Sequence, residues 1–220
     1  MPDRLTGQFG PHCLTFLAER ALWWPERRRL IIADLHLGKD EIFRRAGIAV
    51  PRGGTDEDLR RLSRLLTDTS AAELWIAGDL THDRHLRREF VTLWQRLLES
   101  HPAVRTTLIR GNHDRDLPTA PLAIESVTGR IHDSGIMVGH DSPDPSFEGV
   151  SITGHMHPKV SVPGLPGKWP AFRVRAHAIT LPAFSLFTGG VQVEQHDGWI
   201  ACVQGELVDG RLFESNRKLR

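Results

Sequence analysis

The chain has 220 residues, 40% hydrophobic and 25% charged, with 28 basic against 27 acidic side chains and a formal net charge of +1. A chain this long buries a core without covalent staples, and its two cysteines, Cys13 and Cys202, exclude a disulfide framework and a thiolate metal site. The charge balance argues neither for nor against nucleic acid and leaves room for a local basic patch.

The polar start MPDRLTGQFG lacks the apolar region of a signal peptide, and no apolar run is long enough to span a bilayer. The expectation is a cytoplasmic protein with no membrane partner. Short apolar runs predict strands at Cys13–Leu17, Ala21–Trp24 and Leu30–Ala33, the last stopping at Asp34. Residues 44–54 look like a loop, with Pro51, Gly53 and Gly54. Thr55 is expected to cap a helix over Asp56–Leu66, with Asp58 as its box-like partner and leucines 59, 62, 65 and 66 at helical spacing. A strand at Leu74–Ala77, a helix at Arg87–Ser100 and a strand at Thr106–Ile109 follow. Beyond these, short strands are expected at Gly135–Val138, Val150–Thr153, Phe172–Val174, Ala178–Leu181, Val191–Val193 and Trp199–Val203. Strand–helix alternation followed by strand-rich sequence predicts an α/β sandwich, as one domain over residues 1–220. Residues 163–170 read as a surface loop or small insert, and residues 211–220 as a charged tail.

There are 12 histidines and no tyrosine, and histidine is the commonest metal ligand. Four segments concentrate the chemistry: Ala33-Asp34-Leu35-His36, Gly78-Asp79-Leu80-Thr81-His82-Asp83, Gly111-Asn112-His113-Asp114 and Gly154-His155-Met156-His157. The first three follow apolar runs directly, the place where α/β sheets bind ligands. In extended backbone the i, i+2 pairs Asp34/His36 and His155/His157 would each share one face. Aspartate, imidazole and asparagine donors suit Mn, Fe, Zn or Ni. A carboxylate shared between two cations can hold them about 3.5–4 Å apart for in-line displacement at phosphorus.

In this order, D-x-H, G-D, G-N-H-D and G-H-x-H resemble the calcineurin-like metallophosphoesterase superfamily, with motifs over residues 34–157. The resemblance implies a two-sheet β-sandwich flanked by helices, in four layers α/β/β/α, with two divalent metal ions, manganese first among them. It implies Asp34, His36 and His157 on the first metal, Asp79 bridging, and Asn112 and His155 on the second. One further histidine is needed between the last two motifs. His140 follows an apolar run and is the better candidate; His132 is the alternative, in what reads as a turn. By the same resemblance His113 acts on the leaving oxygen and Asp114 orients it, beside Asn112.

A narrower resemblance rests on Asp34-Leu-His-Leu-Gly-Lys39, Phe43-Arg44-Arg45-Ala-Gly47-Ile-Ala-Val-Pro51, Leu181-Pro-Ala-Phe184 and Thr188-Gly-Gly190. These are similar to the bacterial DNA-ligase-associated metallophosphoesterases. That likeness implies a DNA endonuclease or phosphodiesterase acting on single-stranded or nicked DNA in repair, functionally associated with a ligase, a helicase and an exonuclease. The alternatives are a phosphomonoesterase or small-nucleotide phosphodiesterase, and a non-catalytic scaffold of the same fold. Lys39, Arg45 and Arg115 each follow a metal motif closely and are the candidate phosphate contacts. Arg44, Arg52, Arg84, Arg87 and Arg88 could extend that rim, although a solvated face is the simpler reading for the last two. His12, His85, His101, His177 and His196 read as structural or surface residues. His82 is left outside the ligand set, and residues 181–190 are assigned packing or substrate shaping.

Overall fold

Apolar alternation builds two sheets, seen in a computed structural model that describes residues 1–82, 87–193 and 197–211. The first contains β1 (Arg4–Phe9), β2 (His12–Leu17), β3 (Ala21–Trp24), β4 (Arg29–Ile32), β5 (Glu73–Ala77), β6 (Arg105–Ile109) and β7 (Glu125–Val127), side by side in that order. Tight turns join β1 to β4, which pair antiparallel. Helices α1 (Lys39–Arg45) and α2 (Gly54–Thr69) lie between β4 and β5, and α3 (Arg88–Ser100) between β5 and β6. These crossovers, and the longer connection over residues 110–124 from β6 to β7, make β4 to β7 parallel.

The second sheet is built from β8 (Arg130–Asp133), β9 (Ile136–Gly139), β10 (Val150–Thr153), β11 (Lys159–Val160), β12 (Trp169–Arg175), β13 (Ala178–Thr180), β14 (Gly198–Val203) and β15 (Glu206–Asp209). Its order is β15-β14-β12-β13-β10-β9-β8, with β11 added to β12. Here β9, β10 and β13 run parallel.

Phe16, Ile31 and Trp75 of the first sheet face Val138, Ile152 and Phe172 of the second. Phe16 and Phe172 meet edge to face at 5.0 Å. On the outer side of the first sheet, Leu30, Ile32, Leu74 and Ile76 pack under Leu59, Leu62 and Leu66 of α2 and Trp94 of α3. Each such buried side chain contributes roughly 1.5–3 kcal/mol. On the second sheet, Ala171, Ala201 and Val203 lie beneath Val160 and Val162. The expected two-sheet sandwich with flanking helices is thus observed.

Several local expectations are corrected. Thr55 does not cap α2: Gly53 does, at φ 84°. The Thr55 hydroxyl is used elsewhere, accepting from the Gly38 N–H at 3.0 Å and donating to Asp40 at 3.1 Å. Asp58 is no box partner either, because it pairs with Arg61 at 2.7 Å. The strand expected at Gly135 starts at Ile136, since Gly135 is a turn residue at φ 82°. Val191–Val193 forms no strand among the described residues; Gln192 makes an isolated bridge to Lys159, and Val191 N–H donates to Met156 O at 3.3 Å. His132 lies on β8, not in a turn. Trp24, Trp75 and Trp94 are core residues, and Trp23 packs against the core. Arg84, His85, His196 and residues 212–220 of the tail lie outside the described residues.

Candidate metal centre

The parallel strands aim their carboxyl ends at one place. β4 runs into Asp34, β5 into Asp79, β6 into Asn112, β9 into His140 and β10 into His155. The expected extended geometry of the i, i+2 pairs is not what brings them together. Asp34, His36, His155 and His157 have φ of 56°, 46°, 67° and 45°, and Asp79 has 52°. All are in the left-handed region, where a non-glycine residue costs roughly 1–2 kcal/mol. The strands therefore end at these loops, and the turned backbone, not the pleat, makes each pair converge. The loops are zipped together: the Asp34 N–H donates to Gly78 O at 3.0 Å, His36 N–H to Asp79 O at 2.9 Å, and Leu37 N–H to Leu80 O at 2.9 Å.

Among the described residues two candidate ligand groups result, each with its donor atoms within 4.8 Å of one another: Asp34, His36 and His157, and Asp79, His140 and His155. In the first, the Nε2 atoms of His36 and His157 are 3.4 Å apart, and His157 Nε2 is 3.3 Å from Asp34 Oδ1. In the second, His140 Nε2 lies 3.1 Å from His155 Nδ1 and 3.5 Å from Asp79 Oδ2. Asn112 joins this group, with its Oδ1 at 3.0 Å from His140 Nε2. His132 is elsewhere, against Phe147.

These side chains suit cations better than each other. His140 Nδ1 is 3.0 Å from the Ala77 carbonyl, which can only accept, so the proton sits on Nδ1. The Nε2 atom then faces the oxygens of Asn112 and Asp79. Asp34 Oδ1 and His36 Nδ1 are buried without a hydrogen-bond partner among the described residues. Burial, followed by Lys39 and neighbouring histidines, holds His36 well below the ordinary imidazole range, so it is neutral. Buried carboxylates at Asp34 and Asp79, 0% and 2% exposed, beside a neutral His36 call for positive charge. An O/N donor set of this kind fits two divalent ions of the Mn, Fe, Zn or Ni type.

Glycines make room for the cluster. A Cβ on Gly78 would strike the His140 ring, and one on Gly111 the Asp79 carboxylate. A Cβ on Gly154 would come within 2.9 Å of Asp34 Oδ2.

The calcineurin-like phosphoesterase family model matches residues 27–176. The chain belongs to this family. A crystal structure of Pseudomonas putida nuclease MPE is similar to it at a TM-score of 0.81 and 30% sequence identity, covering 94% of this chain and 99% of that one. Yfce, a phosphoesterase from E. coli, matches at a TM-score of 0.48 and 16% identity, over 82% of this chain and 96% of its own. The AQ665 protein of Aquifex aeolicus matches at 0.44 and 17%, over 86% and 98%. No curated protein matches the sequence.

In this calcineurin-like phosphoesterase, His113 sits at the mouth of the centre, half-buried, with Nε2 3.9 Å from Asp79 Oδ2. Its N–H donates to Asp79 Oδ1 at 3.0 Å. The expected orienting contact from Asp114 to the His113 ring is not what is seen: the buried Asp114 carboxylate accepts from Leu80 N–H at 3.0 Å and Gly111 N–H at 3.0 Å, tying the two loops. Burial raises the Asp114 pKa, while the Gly111 N–H lowers it.

The residue that sequence reasoning left out is His82. Its ring stacks on His113 at 4.9 Å and 28°, and meets His36 edge to face at 5.2 Å. Its place three residues after Asp79 was the only signal. Of the candidate phosphate contacts, Lys39 is half-buried at the start of α1; burial lowers its pKa, and Asp34 and Asp79 pull it back up. Arg45 is exposed and paired with Glu41 at 3.0 Å, and Glu41 also holds Arg87 at 2.5 Å. Arg44 is tied to Asp40 at 2.9 Å. Arg115 is exposed. Lys39 lies close enough to Asp34 and Asp79 for their charge to act on it.

Proposed function

We propose that this metallophosphoesterase is a phosphodiesterase whose substrate is DNA, single-stranded or nicked, and that it works as an endonuclease in repair. The observation that carries the reading is the likeness, over 94% of the chain, to Pseudomonas putida nuclease MPE. In this reading Asp34, His36 and His157 hold one divalent ion, and Asn112, His140 and His155 the other, with Asp79 between them; manganese is the first choice. Such a pair of ions, when bound, supplies a nucleophile from water near neutral pH and neutralises charge at phosphorus.

The chain's own residues then have separable tasks. Asp34 and Asp79 provide the buried negative charge that holds the ions. His140 is locked in one tautomer by Ala77 O. His113 faces the mouth of the centre, where Nε2 can give a proton to the departing oxygen as attack proceeds in line. Lys39 supplies positive charge for a substrate phosphate. The enzyme would work in the cytoplasm, alongside a ligase, a helicase and an exonuclease acting on the same DNA.

The test is hydrolysis of bis-p-nitrophenyl phosphate, p-nitrophenyl phosphate and single-stranded circular DNA with added manganese, wild type beside His113→Ala. Cleavage of the diester and the circle, lost in the variant, is expected. Cleavage of the monoester alone would replace the reading with a phosphatase.

A further inference from the structure

Residues 181–190 pass directly behind the metal centre. Leu181 N–H donates to Thr153 O at 2.8 Å, Phe184 N–H to Ala33 O at 2.8 Å, and Ser185 N–H to Asp34 O at 3.3 Å. The peptide carrying left-handed Asp34 is therefore gripped on both sides, by Gly78 O at its N–H and by Ser185 N–H at its carbonyl. A left-handed residue persists only where its surroundings enforce it.

The strap is itself held by buried charge. Asp58 and Arg61, on α2, are 2% and 5% exposed and pair at 2.7 Å. Arg61 donates to Phe184 O at 3.1 Å, and its guanidinium lies 4.4 Å over the Phe184 ring. Asp58 accepts from the Leu186 N–H at 3.3 Å. Glu19 fixes the other edge of Arg61, through its carboxylate at 2.7 Å and its carbonyl at 2.9 Å. Arg20 donates to Ser185 O at 2.8 Å. The same helix braces the neighbouring ligand loop, since Thr55 accepts from Gly38 N–H and bonds Asp40. A buried ion pair is a weak source of stability, because desolvation cancels much of its attraction. Together with Arg20, this pair instead grips three consecutive residues of a strap, two of which bond the ligand loop of Asp34.

We propose that Asp58 and Arg61 are positioning residues for the Asp34 half of the metal centre, holding Asp34 in its ligating conformation through residues 184–186. The proposal rests on the metal-centre reading above. Loss of the pair weakens the ion held by Asp34, His36 and His157 and spares the one held by Asn112, His140 and His155.

The experiment uses the full chain, stripped with chelator, as wild type, Asp58→Asn and Arg61→Lys. Manganese is titrated by calorimetry, and amide exchange of Ser185 is followed in the ion-free protein. Asp58→Asn keeps the side chain's shape and an acceptor for Leu186, so it tests the charge without removing the contact. One binding step should weaken about 10-fold or more in both variants while the other keeps its affinity, and Ser185 should exchange faster. Unchanged affinities in both steps overturn the proposal, and so does equal weakening of both, which marks a general loss of stability. A wild type that takes up no manganese defeats the metal reading instead; unchanged Ser185 exchange in the variants then overturns the clamp independently.

Discussion

Gly78→Ala probes how tightly the centre is packed. Gly78 has φ +82°, and an added Cβ would sit 2.8 Å from His140 Cβ and collide with the imidazole ring. The ring has nowhere to retreat: it is 2% exposed and anchored to Ala77 O at 3.0 Å. The left-handed backbone costs roughly 1–2 kcal/mol for alanine, and overpacking adds about 1–3 kcal/mol. Together these amount to about 2–5 kcal/mol, or roughly 5–20 °C in Tm for a chain of this size. Gly164→Ala is the control, because Gly164 has φ +83° with nothing within 4 Å of its added Cβ. It should lose only the backbone part, roughly 2–8 °C. Thermal unfolding in chelator measures both, and metal analysis after manganese loading shows whether Gly78→Ala has lost an ion. Equal Tm losses in the two variants, with a full metal complement in both, would refute the steric argument and the assignment of His140.

Three further outcomes are expected. Manganese at about 100 times its Kd should stabilise the ion-free protein by about 2.7 kcal/mol for each site filled, read as a rise in Tm; Asp79→Asn should abolish most of that rise, and a wild type indifferent to manganese would count against the centre. Burial raises the Asp58 pKa from 3.8 to about 6, against the pull of Arg61. The folded state thus binds this proton more tightly than the unfolded chain, so the associated stability is full below pH 3.8 and is lost as pH rises through about 6, about 3 kcal/mol in all. Urea unfolding of Asp58→Asn across this window should lack that decline, and a wild-type slope would contradict the assignment. Burial pushes the Cys202 thiol up to about 12, whereas Cys13 is only partly covered. Native protein should therefore react with one equivalent of a thiol reagent and denatured protein with two; two in the native state would show that the sandwich opens.

The convergence of the candidate ligands was legible because these residues sit at strand ends, where apolar runs such as Leu30–Ala33 and Leu74–Ala77 stop at a glycine or an aspartate. What could not be read was the backbone. Asp34-Leu-His36 has the alternation of a strand, and nothing in residue type distinguishes it from the turned loop it forms. Helix α1 was missed because Lys39–Arg45 contains only Ile42 and Phe43 as apolar residues; it is held by Asp40, which bonds Gly54 and Thr55 across the chain. β1 was missed because its exposed, polar alternation with Gly7 carries little apolar signal. His82 was undervalued because a stack with His113 depends on how two loops are zipped, which no local pattern encodes.

The left-handed backbone at Asp34, His36, Asp79, His155 and His157 has one more implication. Aspartate, asparagine and histidine are the side chains, glycine apart, that enter this region most readily. The residues proposed to hold metal are thus also those the loops can accommodate. Glutamate would match aspartate in charge and still be the wrong residue, through its longer reach and its poorer fit to the turn. A transplant of this centre into another scaffold would have to carry its loops along; five side chains grafted onto straight strands would point at one another's neighbours.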